Sequence, residues 1–304
     1  MGTPPFAVAS LRALVDHGHQ VVCALTQPDQ PAGRGQAVQV SAVKRFASQR
    51  AIPVEQPAKL RDPAVEKHLR ELQPKAIVVA AYGKILPKSL LDLPPQGAIN
   101  VHASLLPKYR GAAPIQRAIL AGECVTGVTI MQMNERMDAG DILLQREVPI
   151  RDADTTESLQ ATLAEVGAAL LVEALDRLAG GALERRPQRD EEATLAPMVR
   201  KEEGEIDWRR PAAEIERAVR AFQPWPGAYT RLGGKLLKIH RAAIRRDGNR
   251  AVPGTVVVAS GDDLEVAAGE DRLRLLELQL EGKRRLAARE FVAGRQVREG
   301  DRLG

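Results

Sequence analysis

The 304-residue chain has only two cysteines, Cys23 and Cys124, and five histidines, with no Cys/His cluster at metal-ligand spacing. Two thiols cannot build a disulfide framework, and without such a cluster no metal is expected. Both cysteines stand in or beside apolar sequence and read as core thiols, which suits a reducing cytoplasm. No apolar run approaches the roughly 20 residues that span a bilayer, so no membrane partner is expected. Nor does a basic stretch followed by an apolar segment open the sequence, so no signal peptide is expected. Aromatic residues make up 3% of the chain, which leaves Leu, Val, Ile and Ala to fill the interior. The GxGxxG fingerprint is absent, which speaks against a dinucleotide enzyme.

What the chain does have is charge, unevenly spread. The net charge is +5. Residues 206–304 carry about 20 Lys/Arg against about 14 Asp/Glu, whereas residues 1–205 are near neutrality. A basic last third suits a phosphate-rich partner such as RNA, because phosphate contacts supply much of nucleic-acid affinity. An Arg-rich solvated surface would give the same count.

In the first half, short apolar runs alternate with helical patterns, which predicts a mostly parallel sheet built from βα units. A helix is expected from an N-cap at Thr3, with Pro4 in its first turn, to about His17, where Gly18 ends it. Further helices are expected over 42–50, 62–72 and 114–121. A long one should start at a capping pair, Asp154 and Glu157, and end near Gly180-Gly181. Strands are expected over 20–26, 75–81, 97–102, 127–133 and 142–150. Residues 181–205 are charged, contain two prolines and lose periodicity, so they read as a linker. Beyond them come a short helix over 211–222 and strands near Tyr229 and over 236–242, 254–259, 264–268 and 272–279. Short strands at that spacing suggest a small barrel. The expected division is a catalytic domain over 1–180, a linker over 181–205 and a second domain over 206–304.

The chemistry concentrates in "GAINVHASLLPKYRGAAPIQR", residues 97–117, and in "MDAGD", residues 137–141. Alternate residues of a strand share a face, so Asn100 and His102 point the same way at a strand's C-terminal end, where open α/β sheets bind ligands. An amide can hold a developing oxyanion, and an imidazole near pKa ~6.5 can move a proton at neutral pH. Asp138 and Asp141 are the carboxylates of the later loop, where Asp also simply makes turns.

These residues resemble the folate-dependent formyltransferases, in which an Asn-x-His pair, a Ser-Leu-Leu-Pro turn and a distal Asp form the active site. Here they stand as Asn100, His102, Ser104-Leu105-Leu106-Pro107 and Asp138. "GTPPFA" (2–7), "TQPDQPAGRG" (26–35), "VVAAYG" (78–83), "GVTIMQMNERMDAGDIL" (127–143) and "RAFQPWPGAYT" (220–230) extend the likeness over nearly the whole chain. They are similar to the branch of the family that acts on initiator tRNA.

The resemblance implies an α/β, Rossmann-like catalytic domain followed by an OB-like β-barrel. It implies formyl transfer from N10-formyltetrahydrofolate to the α-amino group of methionyl initiator tRNA, in a monomeric cytoplasmic enzyme. Asn100 would hold the oxyanion, His102 would add a hydrogen bond or charge, and Asp138 would orient His102 and help move the proton. Folate would lie against Ser104, Leu105, Leu106 and Pro107, and its pterin against backbone near Val79, Tyr82 and Asp141. Arg34, in the Gly/Pro-rich loop, would meet the acceptor stem, with Lys201, Arg245, Arg246 and Lys283 following the tRNA electrostatically. The family also opens with a buried strand leading into its "GTPxFA" segment. This chain begins at Met1-Gly2-Thr3, so a sheet without that strand is expected. Rivals with the same trio are formyltransferases for glycinamide ribonucleotide or an amino sugar, a formyltetrahydrofolate hydrolase, and a tRNA-binding protein impaired by the missing strand.

Overall fold

The computed structural model describes residues 1–32, 37–248 and 251–304, and these form two compact units. The first comprises residues 1–114, 125–149 and 160–196, and the second residues 115–124, 150–159 and 197–304. In chain order the elements begin α1 (Pro5–Asp16), β1 (Ala24–Leu25), β2 (Gln30–Ala32), β3 (Ala37–Gln39), α2 (Ala42–Gln49) and β4 (Val54–Glu55). They continue with α3 (Pro63–Glu71), β5 (Ile77–Val79), α4 (Lys88–Leu91), β6 (Ala98–His102), β7 (Arg110–Gly111) and α5 (Pro114–Ala121). Next come β8 (Val125–Gln132), β9 (Ile142–Pro149), α6 (Thr156–Ala179), β10 (Leu195–Ala196) and α7 (Ala212–Ala221). The chain closes with β11 (Ala228–Leu232), β12 (Lys235–Arg245), β13 (Val256–Ser260), β14 (Asp263–Ala267), β15 (Arg272–Leu280), β16 (Leu286–Ala287) and α8 (Ala288–Ala293).

In the first unit, β5, β6, β8 and β9 make one sheet in that order. Only β5 and β6 run parallel; β6–β8 and β8–β9 are antiparallel. With the parallel β1–β4 pair and the parallel Gly2–Ala80 bridge that leads to it, the arrangement is mostly parallel as expected, and β8 and β9, joined by the short 133–141 loop, form an antiparallel edge. Every residue of β6 is buried, as a central strand requires. Helix α1 starts as expected, but Pro4 is its N-cap and Thr3 is not. The Thr3 hydroxyl instead accepts from the Gln27 amide and donates to the Tyr82 carbonyl. At α6 the start is held by Thr155 and Ser158, whose hydroxyls each accept from the other's amide N–H, and not by Glu157. Helix α6 is long and apolar enough to cross a membrane by length and composition, but 56% of its most apolar window is buried within the protein.

The sheet has a gap. Strand β1 pairs only with β4, and between β1 and β5 lie just Met1 and Gly2. Gly2 N–H donates to Leu25 O, Met1 N to Val78 O and Ala80 N–H to Met1 O. Beyond this two-residue stub is a cavity of about 660 Å³, walled by residues 20–25 on one side and 72–78 on the other. A strand needs a neighbour to take its backbone hydrogen bonds. That is why the expected strands over 20–26 and 75–81 shrink to Ala24–Leu25 and Ile77–Val79. Cys23 borders the cavity half-buried, and burial pushes its thiol up to about 11. Cys124 is exposed, so it is not a core thiol.

The segment expected as a linker is structured and divides between the units after Ala196. Arg186 exchanges backbone hydrogen bonds with Ile142, and β10 runs parallel to β7. Some of its side chains are held by the rest of the fold, Asp190 by Arg110 and Arg136 and Arg186 by Gln145, and such contacts carry no helical or strand period.

The second unit holds an antiparallel sheet, β11-β12-β15-β14-β13, with β16 on β15. Its inward faces meet α7 and α8 over a core that includes Trp208, Ile215, Val219, Leu237, Leu275 and Phe291. The indole of Trp208 donates to the Thr230 hydroxyl, so its polar atom is satisfied where it is buried. The C-terminal Arg302 and Leu303 form bridges to Thr255 and Leu232, reaching both edges of the sheet.

Candidate active site

Strand β6 ends at His102 and carries Asn100 on the same face. Both side chains are nearly buried, at 8% and 6% exposure. The Asn100 backbone is fixed in register between Val79 of β5 and Met131 of β8. Among the described residues its carboxamide has no hydrogen-bond partner. The imidazole of His102 lies 3.0 Å from the Tyr109 carbonyl through Nε2. A carbonyl only accepts, so Nε2 carries a proton there and Nδ1 is the nitrogen free for chemistry. Nδ1 faces Asp138 Oδ2 at 3.7 Å, too long for a direct hydrogen bond but short enough for charge pairing.

Asp138 is held by backbone. Its Oδ2 accepts from the Gly111 amide at 2.9 Å, and its own φ is +48°, a left-handed conformation that Asp tolerates better than most residues. Gly111 has φ +125°, and a Cβ there would stand 2.7 Å from the Ala196 carbonyl. Only glycine lets β10 pass that closely. Gly140 is equally constrained: a Cβ would lie 1.7 Å from the Gln132 carbonyl. Asn134 caps the same loop, accepting from the Arg136 amide at 2.9 Å and donating to the Ala139 carbonyl at 3.3 Å.

The remaining expected residues take different places. The Ser104 hydroxyl is fully buried and donates to the Lys108 carbonyl at 2.6 Å, so it closes the turn. Leu106 packs with Met131 and Ile142 in the core, and its amide donates to the Thr129 hydroxyl. Leu105 and Leu106 line a cavity of about 830 Å³ walled by β9 and residues 182–187; none of Asn100, His102 and Asp138 borders it. Pro107 follows a cis peptide bond and accepts from the Thr194 amide through its carbonyl. Val79 is buried beside Asn100 in register. The Tyr82 ring is core, with its hydroxyl unpartnered among the described residues and pushed up to about 12 by burial. Asp141 is half-buried, and its carbonyl accepts from the Gln132 amide.

Lys201, Arg245, Arg246 and Lys283 are exposed residues of the second unit. Their neighbours Arg284 and Arg285 are paired with Glu290 and Glu277. Arg34 lies outside the described residues. Among those described, no group of three or more His, Cys, Asp or Glu is arranged to hold a metal ion.

Sequence reasoning missed Arg110, Thr129 and Gln188. Thr129 is a buried hub: its hydroxyl donates to Ser104 O and accepts from Leu106 N–H and Gln145 Nε2. Arg110 and Gln188 brace the Asp138 loop. Arg110 sits in the quoted motif without a distinctive neighbour, and Gln188 falls in the stretch without periodicity, so neither carried a readable signal.

The formyl transferase family model matches residues 1–175, and the model of the formyl transferase C-terminal domain matches residues 198–296. Among curated proteins, the methionyl-tRNA formyltransferase of Koribacter versatilis is 50% identical over 305 residues, covering 100% of this chain and 97% of the relative. That of Myxococcus xanthus is 49% identical over 300 residues, covering 99% and 95%. Among solved structures, the sugar 3N-formyl transferase WlaRD, crystallised with dTDP and 5-N-formyl-THF, superposes with a TM-score of 0.65 at 19% identity, covering 93% of this chain and 97% of that one. HypX from Aquifex aeolicus in complex with tetrahydrofolic acid gives 0.59 at 20%, covering 81% and 43%. These two share the fold. Full-length identity near one half, on both matched domains, shows that the chain belongs to the methionyl-tRNA formyltransferase family.

Proposed function

We propose that this chain transfers the formyl group of N10-formyltetrahydrofolate to the α-amino group of methionyl initiator tRNA, using Asn100, His102 and Asp138. Family membership carries the reaction. The observation that carries the residues is the Asn100 carboxamide: buried, without a partner among the described residues, and on the face of β6 that ends in the His102–Asp138 pair.

The amine nitrogen attacks the formyl carbon, and the carbonyl oxygen becomes an oxyanion. Asn100 donates its side-chain N–H to that oxygen, a donor already fixed in place by the register of β6. His102 supplies a hydrogen bond or positive charge from Nδ1. Asp138, 3.7 Å away, orients that nitrogen through its charge and takes up the proton the amine loses. The bond between the formyl carbon and N10 of the folate then breaks, and N10 receives the proton. No covalent enzyme intermediate is needed.

For the folate, the loop 138–141 has already engaged its carbonyls. Those of Asp138 and Gly140 accept from Gln188, that of Ala139 from Asn134 and that of Asp141 from Gln132. Among the described residues its amide N–H groups carry no acceptor and are the polar groups left for a pterin. Ser104, Leu105, Leu106 and Pro107 shape the pocket through their turn rather than through free polar side chains. The second unit acts as an OB-like tRNA-binding domain, with its edges drawn together by Arg302 and Leu303. Its basic residues Lys201, Arg245, Arg246 and Lys283, unpaired among the described residues, track phosphates, a role the sequence resemblance also gives Arg34. The working form is a cytoplasmic monomer.

The test is formyl transfer to methionyl initiator tRNA by His102→Gln and Asp138→Asn. Each is expected to lose 10²-fold or more in kcat while folding normally, in line with the roughly 10²–10⁴-fold that a positioned acid or base contributes. Near-parental turnover by either variant refutes that residue's role.

A further inference from the structure

The geometry points to Gln188 as a positioning residue that holds Asp138 against His102. This rests on the proposed role of Asp138. Gln188 lies 50 residues beyond Asp138, yet its Nε2 donates to two carbonyls of the Asp138 loop, those of Asp138 at 2.9 Å and Gly140 at 2.7 Å. Its Oε1 accepts from Arg110 twice, from Nε at 3.0 Å and Nη2 at 2.8 Å. The amide has one orientation here: reversed, its donors would face a guanidinium and its oxygen two carbonyls.

Arg110 is the anchor. It is 6% exposed, and a buried guanidinium is stable only when paired. Besides Gln188 it donates to Asp190 Oδ1 at 2.9 Å, and Asp190 Oδ2 accepts from Arg136 at 2.6 Å. Hydrogen bonds from Arg136 and Arg110 hold the Asp190 carboxyl below the usual carboxylate range. Arg136 belongs to the same loop as Asp138. Both ends of that loop are therefore tied to Gln188 and Asp190, and the chain next to Arg110, at Gly111, supplies the amide that Asp138 Oδ2 accepts from. The brace fixes the backbone of Asp138 at φ +48° and hence the direction of its carboxylate. All of these residues lie in the first unit.

The decisive experiment is a double-mutant cycle on the full chain, measuring kcat and KM for methionyl initiator tRNA and 10-formyltetrahydrofolate. Gln188→Ala is expected to lower kcat about 10- to 100-fold, the scale at which a misplacement of about 1 Å acts, with both KM values within threefold. Gln188→Glu keeps the side-chain size and the acceptor for Arg110 but not the donors. It should lose kcat similarly, and it serves if the alanine variant folds poorly. In an Asp138→Asn background the Gln188 substitutions should change kcat by less than twofold, because their effect runs through that carboxylate. Arg189→Ala, on the same segment, should match the parent. Parental kcat for both Gln188 variants overturns the inference, as does the same fold-loss with or without the Asp138 carboxylate. An Asp138→Asn protein with full activity would instead overturn the reading on which it rests.

Discussion

Replacing Asn100 by alanine should separate activity from stability. The backbone of residue 100 pairs with Val79 and Met131, and alanine keeps both ladders. The lost carboxamide has no protein partner among the described residues, so its removal orphans nothing. A structural asparagine at a buried site would cost about 1–3 kcal/mol in unsatisfied partners; here the change should stay below about 1 kcal/mol, a few degrees in Tm. Loss of one oxyanion donor, by contrast, removes roughly 2.7–4 kcal/mol from the transition state, or 10²–10³ in kcat. KM for both substrates should change little, because the donor acts on charge that appears only at the transition state. The assay is steady-state formylation of methionyl initiator tRNA, run beside thermal melts of the same preparations. Asn100→Asp, nearly isosteric but without the donor, should lose at least as much. A kcat within threefold of the parent, or a loss that merely follows a drop in Tm, would refute the oxyanion assignment.

Three further outcomes follow. Gly140→Ala should abolish most activity, since its Cβ would stand 1.7 Å from the Gln132 carbonyl and displace the Asp138 loop. Gly261→Ala, at φ +58° in open space, should cost only about 1–2 kcal/mol with unchanged specific activity. An apolar strand of about five residues fused before Met1 should enter the 660 Å³ gap between β1 and β5 and raise Tm by several degrees. An equal gain from a Gly/Ser extension would contradict this. Burial lowers the Met1 amine from 8.0 to about 6. In a chain starting at Met1 the unfolded state therefore binds the proton first as pH falls, and stability should drop by at most about 2 kcal/mol from pH 8 to pH 6. Acetylating the amine should flatten that slope in denaturant titrations.

Much of the candidate site's arrangement was legible because its residues are local in sequence. Asn100 and His102 share a strand face by period alone, and the helices α1, α2, α3 and α5 announced themselves through Pro, Gly and apolar spacing. The strands on either side of the gap read too long, because pattern reports burial but not whether a neighbouring strand is present. The brace from Arg110 through Gln188 was invisible. It joins residues 78 positions apart through side chains that carry no period, and Asp190, one of the charges that made the segment read as a linker, helps pin the Asp138 loop. The His102–Asp138 pairing was also only half legible: motif order paired them, but the 3.7 Å spacing makes it a charge contact rather than a hydrogen bond.

The most direct measurement is formyl transfer by the unmodified chain from 10-formyltetrahydrofolate to a panel of amines: methionyl initiator tRNA, glycinamide ribonucleotide and a dTDP-linked amino sugar. Formylation of the tRNA alone, lost on substitution of Asn100, is the predicted result. Turnover of either small amine with none on the tRNA, by folded protein, would contradict the account.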